Sequence, residues 1–315
     1  MPHPRIAVLL PCYNEELNIA GVVAAFRQSL PDAVIYVYDN NSTDKTVSVA
    51  RSAGAIVRRE TYQGKGNVVR RMFSDIDADI YVIADGDGTY DASVAPEWIR
   101  KLVEENLDMV VGSRIETEAK AYRHGHKFGN FFLTGMVQWL FGFGFTDILS
   151  GYRVMSRRYV KSFPIVSGGF EIETEMSVHA LQLRLPFAEV ATHYGVRPEE
   201  SPSKLKTYRD GFRILLTIFG LMASERPRLL FGTLAALLAV ISVILAIPLL
   251  VTWLQTGLVP RFPTAILCVG TMLVAVMTLG FGWLLHVITR GRIEAKRLAY
   301  LAQQAVSREA APSSS

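Results

Sequence analysis

The chain has 315 residues, half of them hydrophobic, with 33 Lys and Arg against 29 Asp and Glu and a formal net charge of +4. That length holds one large domain or two modest ones. The mild charge, with no long basic run and no interleaving of aromatic and basic residues, argues against nucleic acid as a partner. The two cysteines, Cys12 and Cys268, are not expected to pair and fit a reducing, cytoplasmic setting. The first apolar run, Ile6 to Leu10, is too short for a signal peptide and leads into Asn14-Glu15-Glu16, so none is expected.

Arg5 to Leu10 reads as a strand, and Asn14 is placed to cap a helix running to about Leu30. Ala33 to Tyr38 reads as the next strand, ending in Asp39-Asn40-Asn41-Ser42-Thr43-Asp44. Ser42 or Thr43 suits the cap of a second helix through Ala53. Gly54 stops it, and Ala55 to Val57 forms a short third strand. Gly64-Lys65-Gly66-Asn67 opens another helix. The run Asp79 to Ala84 is a buried strand that stops at Asp85-Gly86-Asp87-Gly88-Thr89. A helix from about Val94 to Glu105 follows, then the strand Met109 to Val111, ending in Gly112-Ser113-Arg114. Strand and helix alternate with short connections, which predicts an α/β fold with a mainly parallel sheet covered on both faces. No G-x-G-x-x-G follows the first strand, which disfavours a dinucleotide-binding oxidoreductase.

Asp85 and Asp87 fall at the carboxyl end of a strand, where open α/β sheets bind ligands. Paired hard oxygen ligands suit Mg²⁺ or Mn²⁺ carrying phosphates, and a diphosphate held by such a cation leaves more readily. An acidic Asp-Gly turn gives the same residues without any ligand, and the surrounding motifs weigh against it.

Pro11-Cys12-Tyr13-Asn14-Glu15-Glu16, Asp39-Asn40-Asn41-Ser42-Thr43-Asp44, Asp85-x-Asp87, Gly112-Ser113-Arg114 and Asp147-x-x-Ser150-Gly151-Tyr152-Arg153 occur in that order. Together they resemble the family-two glycosyltransferases of the GT-A fold. With the apolar C-terminal part added, the chain is most similar to the polyprenyl-phosphate glycosyltransferases, relatives of dolichol-phosphate mannose synthase. The resemblance covers about residues 5–225. It implies a nucleotide-sugar donor, a divalent metal and a lipid-phosphate acceptor. It assigns donor binding to Pro11, Tyr13, Glu15, Asp39, Lys65 and Asp85, and metal and diphosphate to Asp85 and Asp87. Thr89 stands where relatives often carry a glutamine near the metal, which leaves a third protein ligand open. The resemblance also places Glu171 or Glu173 near the donor sugar, although acids in the first turn of a helix suit its dipole in any case. Asp147 is placed near the acceptor. A lipid phosphate is already anionic, so a positioning or electrostatic role for Asp147 is preferred to that of a base. Arg153 is read either as a surface charge or as the group that orients Asp147. Arg197 and Ser203-Lys204 resemble a loop that closes on phosphates, where fixed cations offset charge on a leaving diphosphate. Asp87, Asp147 and Arg153 are thus the catalytic candidates. Arg114, Arg123, Lys127 and Ser150 are candidates for the acceptor phosphate, since a guanidinium grips phosphate through two bonds.

Leu185 to Tyr194 reads as an edge strand. The aromatic-rich segment at 122–145 and the segment at 207–225, each with basic residues, read as amphipathic helices lying in a membrane interface. No Asp, Glu, Lys or Arg occurs between Arg228 and Arg261, or between Arg261 and Arg290. Each stretch exceeds the roughly 20 residues that span a bilayer. The expected organisation is a catalytic domain over residues 1–225, two transmembrane helices within 226–293 (about 229–254 and 263–289), and a cytoplasmic tail over 294–315. Arginines and a lysine flank the outer ends of both spans, which puts both ends and the catalytic domain in the cytoplasm. The spans hold no acid or base for an ion path, so transport is disfavoured. Self-association through the spans, a glycolipid or glycan acceptor, and a non-catalytic sensing or assembly role stand as alternatives.

Overall fold

The computed structural model describes residues 4–115, 135, 137–139, 144–165, 168, 169, 171–195, 220 and 222–305. The chain falls into two compact units, one of Met1–Gly211 with Ala295–Ser315 and the other Phe212–Glu294.

The first unit is built on seven strands: β1 (Ile6–Cys12), β2 (Val34–Asp39), β3 (Ile56–Arg59), β4 (Ile80–Ile83), β5 (Met109–Ile115), β6 (Arg153–Ser156) and β7 (Phe187–His193). Their order across the sheet is β3-β2-β1-β4-β6-β5-β7. All pairings are parallel except those of β6, which runs against both β4 and β5. Val8, Leu9, Leu10, Ile80, Tyr81, Val82 and Ile83 are fully or almost fully buried, as expected of central strands covered on both faces. Helices α1 (Ile19–Ser29), α2 (Thr46–Ser52) and α4 (Ala95–Glu104) place Val23, Phe26, Ala50, Trp98 and Leu102 against Val8, Leu10, Val37, Val82 and Val154. On the other face, Phe73 of α3 (Lys65–Asp75) meets Tyr81 and Phe163, and Tyr159 of α5 (Arg157–Ser162) meets His179 of α6 (Ile172–Leu183).

Strand β6 carries no signal in the sequence. It is four residues long, with only Val154 and Met155 apolar between Arg153 and Ser156, too short a run for periodicity to register. Its antiparallel sense matters for the site. Six strands end at one rim of the sheet, and β6 begins there, so the loop ahead of it, Thr146 to Tyr152, arrives at the same rim.

Helix starts also differ from expectation. Asn14 does not cap α1. It takes a left-handed backbone (φ 54°), and its side-chain oxygen accepts from the amide of Thr43 at 2.8 Å. Neither Ser42 nor Thr43 caps α2; Ser42 Oγ accepts from the amide of Asn14 at 2.9 Å, and Asp44 accepts from the amide of Thr46 at 3.0 Å. The polar residues after β1 and β2 therefore fasten two loops to one another, which side chains of this type do as readily as cap helices.

In the second unit, α7 (Pro227–Thr256) and the greater part of α8 (Phe262–Leu301) are long and apolar enough to cross a membrane. Small residues line their seam. Ala235 and Ser242 on α7, and Cys268, Ala275, Gly282 and Thr289 on α8, recur at intervals of seven and are buried. A Cβ on Gly282 would stand 2.7 Å from Phe231 Cβ, and Ser242 Oγ donates to the Cys268 carbonyl at 2.8 Å. Such close approach of small residues is how helices pack where lipid removes the hydrophobic drive. The end of α8 reaches beyond the expected span. From Ala295 it belongs to the first unit, where Lys296 donates to Gln182 (2.7 Å) and the Tyr300 hydroxyl to Asp108 (2.8 Å). Of the two expected interfacial helices, most residues lie outside those described, as do Arg123, Lys127, Arg197 and Lys204.

Candidate active site

The rim carries two clusters. The first gathers at the carboxyl ends of β1, β2 and β4. Asp39 is buried, and one of its oxygens accepts from the amide of Ser42 at 3.1 Å. Glu15, just beyond β1, is also buried, with its amide donating to Thr46 Oγ1 at 2.8 Å. Pro11 and Tyr13 are half-buried beside it. Gly86 lets the backbone after β4 settle over Cys12; a Cβ there would collide with the sulfur. Asp85 and Asp87 flank that glycine. Asp87 is buried, and one of its oxygens receives both the Thr89 amide (3.1 Å) and the Thr89 hydroxyl (2.6 Å). Thr89 thus orients the Asp87 carboxylate.

Lys65, in the first turn of α3, lies between two carboxylates: its Nζ is 2.5 Å from Asp85 Oδ1 and 2.6 Å from Glu173 Oε1. Burial opposes the charged ammonium, but Asp85 and Glu173 outweigh it and raise the Lys65 pKa. Burial also pushes the Glu173 carboxyl up, against the pull of Lys65. Of the two acids left open by the sequence, Glu173 is the one that joins this cluster; Glu171 folds back toward Gly169 instead.

The second cluster gathers where β5 and β7 end. Asp147 is buried, and its carboxylate is gripped by Arg114 through Nε (2.6 Å) and Nη2 (2.7 Å). The Arg114 guanidinium also lies over the Tyr194 ring, 5.5 Å from its centre. This two-pronged geometry is the strong form of a guanidinium–carboxylate pair. The Asp147 loop is held from three sides. Glu189 of β7 accepts from the amides of Thr146 (2.8 and 3.1 Å) and Asp147 (2.9 Å). The Tyr90 hydroxyl accepts from the amide of Gly151 at 3.0 Å. Arg153 donates to the carbonyls of Ser150 (3.1 Å), Ile148 (3.0 Å) and Glu173 (2.9 Å), and to Ser177 Oγ (3.0 Å).

Arg153 is therefore neither a surface charge nor the orienter of the Asp147 carboxylate. It is fully buried inside β6, its charge is spread over backbone carbonyls, and burial lowers its pKa. The orienter is Arg114, a residue that the motifs assign to phosphate. Ser150 is also fully buried, with its hydroxyl 3.4 Å from the amide of Tyr152, so it shapes the loop. Glu189 and Tyr90 escape sequence reasoning. Glu189 alternates with apolar neighbours as any edge-strand residue does, and nothing in its surroundings in the chain points to Asp147.

The clusters meet at Gly151. A Cβ there would stand 2.8 Å from Asp85 Oδ2 and 3.2 Å from Lys65 Nζ. The loop that carries Asp147 thus forms the wall of the Asp85 cluster. The residues also fit a divalent cation. Asp85 and Asp87 supply hard oxygens at one turn, and among the described residues no third His, Cys, Asp or Glu completes a protein-only cage. That suits a hard cation whose remaining ligands come from a diphosphate and water.

The family described as Glycosyl transferase family 2 matches residues 7–163. The glycosyltransferase AglJ of Haloferax volcanii is 35% identical over 236 residues, covering 74% of this chain and 77% of that protein. The dolichyl-phosphate hexose transferase of the same organism is 27% identical over 224 residues, covering 71% of this chain and 96% of that protein. Among solved structures, glucosyl-3-phosphoglycerate synthase of Mycobacterium tuberculosis, in complex with Mn²⁺, UDP-glucose and phosphoglyceric acid, superposes with a TM-score of 0.56 at 22% identity, covering 69% of this chain and 80% of that one. That likeness confirms the GT-A architecture. A sheet ending in Asp85-x-Asp87, the wall formed by the Asp147 loop and the span matched from β1 through α5 together make this chain a glycosyltransferase, a member of glycosyl transferase family 2.

Proposed function

We infer that the chain moves a hexose from a nucleotide sugar, UDP- or GDP-linked, to a polyprenyl phosphate at the cytoplasmic face of a membrane, with inversion and with a divalent cation. The observation that carries this reading is the meeting of the two clusters at Gly151: one suits a diphosphate and its cation, the other an anionic acceptor, and the loop that carries Asp147 passes against Asp85 and Lys65 at that glycine. The relative named for dolichyl-phosphate hexose transfer and the two helices apolar enough to cross a membrane support the lipid acceptor. The Mn²⁺ and UDP-glucose bound by the structural neighbour support the donor and the metal.

In this reading Pro11, Tyr13, Glu15 and Asp39 receive the nucleoside, and Asp85 and Asp87 hold the cation. When bound, that cation offsets the charge that develops on the departing diphosphate. Lys65 supplies a fixed positive charge beside Asp85, and Arg197 and Lys204 add two more. An oxygen of the acceptor phosphate attacks the anomeric carbon as the bond to the nucleoside diphosphate breaks on the opposite side. The phosphate needs no base, and Asp147, already paired with Arg114, acts by orienting that guanidinium toward the anion. Arg123 and Lys127 are further phosphate partners. The domain limits 1–225, 226–293 and 294–315 belong to the same proposal, with both spans anchoring the enzyme.

The test uses purified full-length chain, a panel of nucleotide sugars, Mg²⁺ or Mn²⁺, and three acceptors: undecaprenyl phosphate, a diacylglycerol and a soluble glycan. Transfer to the polyprenyl phosphate alone, lost on chelation, is the expected result. Transfer only to either other acceptor overturns the acceptor, and full activity after chelation overturns the metal.

A further inference from the structure

The geometry points to Glu189 as a positioning residue for acceptor binding, one that fixes the Asp147–Arg114 pair from behind. This deepens the function proposed above and rests on its division of the rim into donor and acceptor sides. Glu189 does not touch the Asp147 carboxylate. Its own carboxylate takes the two successive amides of Thr146 and Asp147, at 2.8 to 3.1 Å. Two consecutive amides turned toward one anion form a small backbone nest. The nest determines where the Asp147 side chain leaves the loop. The carboxylate then sets Arg114 through its two bonds at 2.6 and 2.7 Å, and Arg114 in turn rests on Tyr194.

Strand register makes the arrangement stiff. Glu189 is paired with Val111 across β5 and β7, Arg114 with Thr192, and Asp147 bridges back to the same two strands through side-chain bonds. Both ends of the relay therefore stand on one ladder of parallel hydrogen bonds, while Asp147 stands on a loop. A loop residue placed between two groups on rigid strands is held far better than by its own backbone. The relay contains two carboxylates and one guanidinium, and the carboxylates differ in what they hold. Glu189 holds backbone, and Asp147 holds charge.

The donor side is built from other elements. Asp85, Lys65 and Glu173 come from the β4 turn, α3 and α6, and none of the ion pairs that join them involves Glu189. The end of the loop that touches the donor side is held by Tyr90 at Gly151 and by Arg153 at Ser150, so a change at Glu189, which holds Thr146 and Asp147, is expected to act on the acceptor side. In Glu189→Gln a carbonyl oxygen can replace Oε1, which accepts from both amides, but an NH₂ then replaces Oε2 opposite the Thr146 amide. Glu189→Ala removes both acceptors.

The experiment measures kcat and KM for donor and acceptor on the full-length chain, with the dissociation constant for the nucleoside diphosphate taken by calorimetry. Expected for Glu189→Ala is a rise in acceptor KM of about tenfold or more, with Glu189→Gln intermediate and nucleotide affinity unchanged. A merely structural role would lower the melting temperature and weaken both substrates together. Acceptor KM within about twofold of wild type for Glu189→Ala, or a parallel loss of nucleotide affinity, overturns the proposal. If Glu189→Ala does not fold, Glu189→Gln carries the same test, with the same two outcomes. The acceptor is whichever one the wild type uses. A wild type that ignores polyprenyl phosphate defeats the acceptor assigned above, yet still reads the effect of Glu189.

Discussion

The two clusters at the rim use the same chemistry in opposite ways. Around Asp85, one cation lies between two acids: Lys65 meets Asp85 at 2.5 Å and Glu173 at 2.6 Å. Around Asp147, among the described residues, the carboxylate meets Arg114 through two bonds, and a second acid, Glu189, takes backbone amides. The first arrangement leaves an excess of negative charge at the strand end, which is what a divalent cation seeks. The second balances its side-chain pair and leaves the guanidinium fixed in direction. In the proposed reading, the cation site and the anion site differ, among the described residues, in how many acids share each base.

The change with the largest expected effect breaks the first arrangement outright. Lys65→Met leaves Asp85 and Glu173 facing each other without their shared partner. Lys65 and Glu173 are 12% and 6% exposed in their side chains, so solvent does little to replace it. Removing one member of a buried pair costs about 3–5 kcal/mol, and that loss in unfolding free energy is expected by chemical denaturation. The pH dependence has a definite sign. The folded-state pKa of Lys65 is raised above its ordinary 10.5, so its stabilisation is fully present below that value and is lost only as pH rises through the folded one. The gap between wild type and Lys65→Met therefore does not narrow between about pH 7 and about pH 10. A gap that closes in that range would mean Lys65 is not held charged by the two acids.

A smaller change asks whether the clusters are separate at all. Gly151 belongs to the Asp147 loop, but a Cβ on it would meet the Asp85 carboxylate at 2.8 Å. Gly151→Ala is expected to weaken nucleotide binding, because the added methyl, which in a packed core costs about 1–3 kcal/mol, falls against Asp85, although the residue belongs to the loop proposed to serve the acceptor. Calorimetry with a nucleoside diphosphate and Mn²⁺ measures it. Unchanged affinity would separate the two clusters more than the geometry allows.

The Asp85 cluster is the more legible of the two in the sequence. A buried apolar run that stops at Asp85-Gly86-Asp87 announces a strand end with ligands, and Lys65 follows a glycine with φ +131° that opens a helix at the same rim. The sheet is legible for the same reason, since parallel strands are continuous apolar runs. The Asp147 cluster is half hidden. Its loop arrives through β6, a strand too short to show a period, and its partners Arg114 and Glu189 are 33 and 42 residues away in the chain. Arg153 defeats sequence reading because a charge in a sequence says nothing of burial. Only the fold shows that its Nε and Nη2 donate to the carbonyls of Ile148, Ser150 and Glu173. The apolar spans are the plainest signal of all, though the docking of Tyr300 on Asp108 beyond them has no mark in the sequence.

The smallest expected effect sharpens the contrast at a single atom. Thr89 is 3% exposed, and its hydroxyl donates to Asp87 at 2.6 Å while its amide bonds the same oxygen at 3.1 Å. Thr89→Val keeps the shape and the amide bond and deletes only the hydroxyl. A hydrogen bond to a charged group contributes about 1.5–3 kcal/mol, and the surviving amide bond holds the loss near the lower end. The expected result is a rise of about tenfold in the cation concentration that half-stabilises the chain against heat in the presence of a nucleoside diphosphate. The KM for the acceptor stays where it is, because among the described residues Asp147 is bonded by Arg114 and Glu189 and not by Thr89. If cation dependence does not move, the hydroxyl does not orient Asp87 for a metal. If acceptor KM moves instead, Thr89 serves the other side of the rim, and the proposed division between a cation site and an anion site fails.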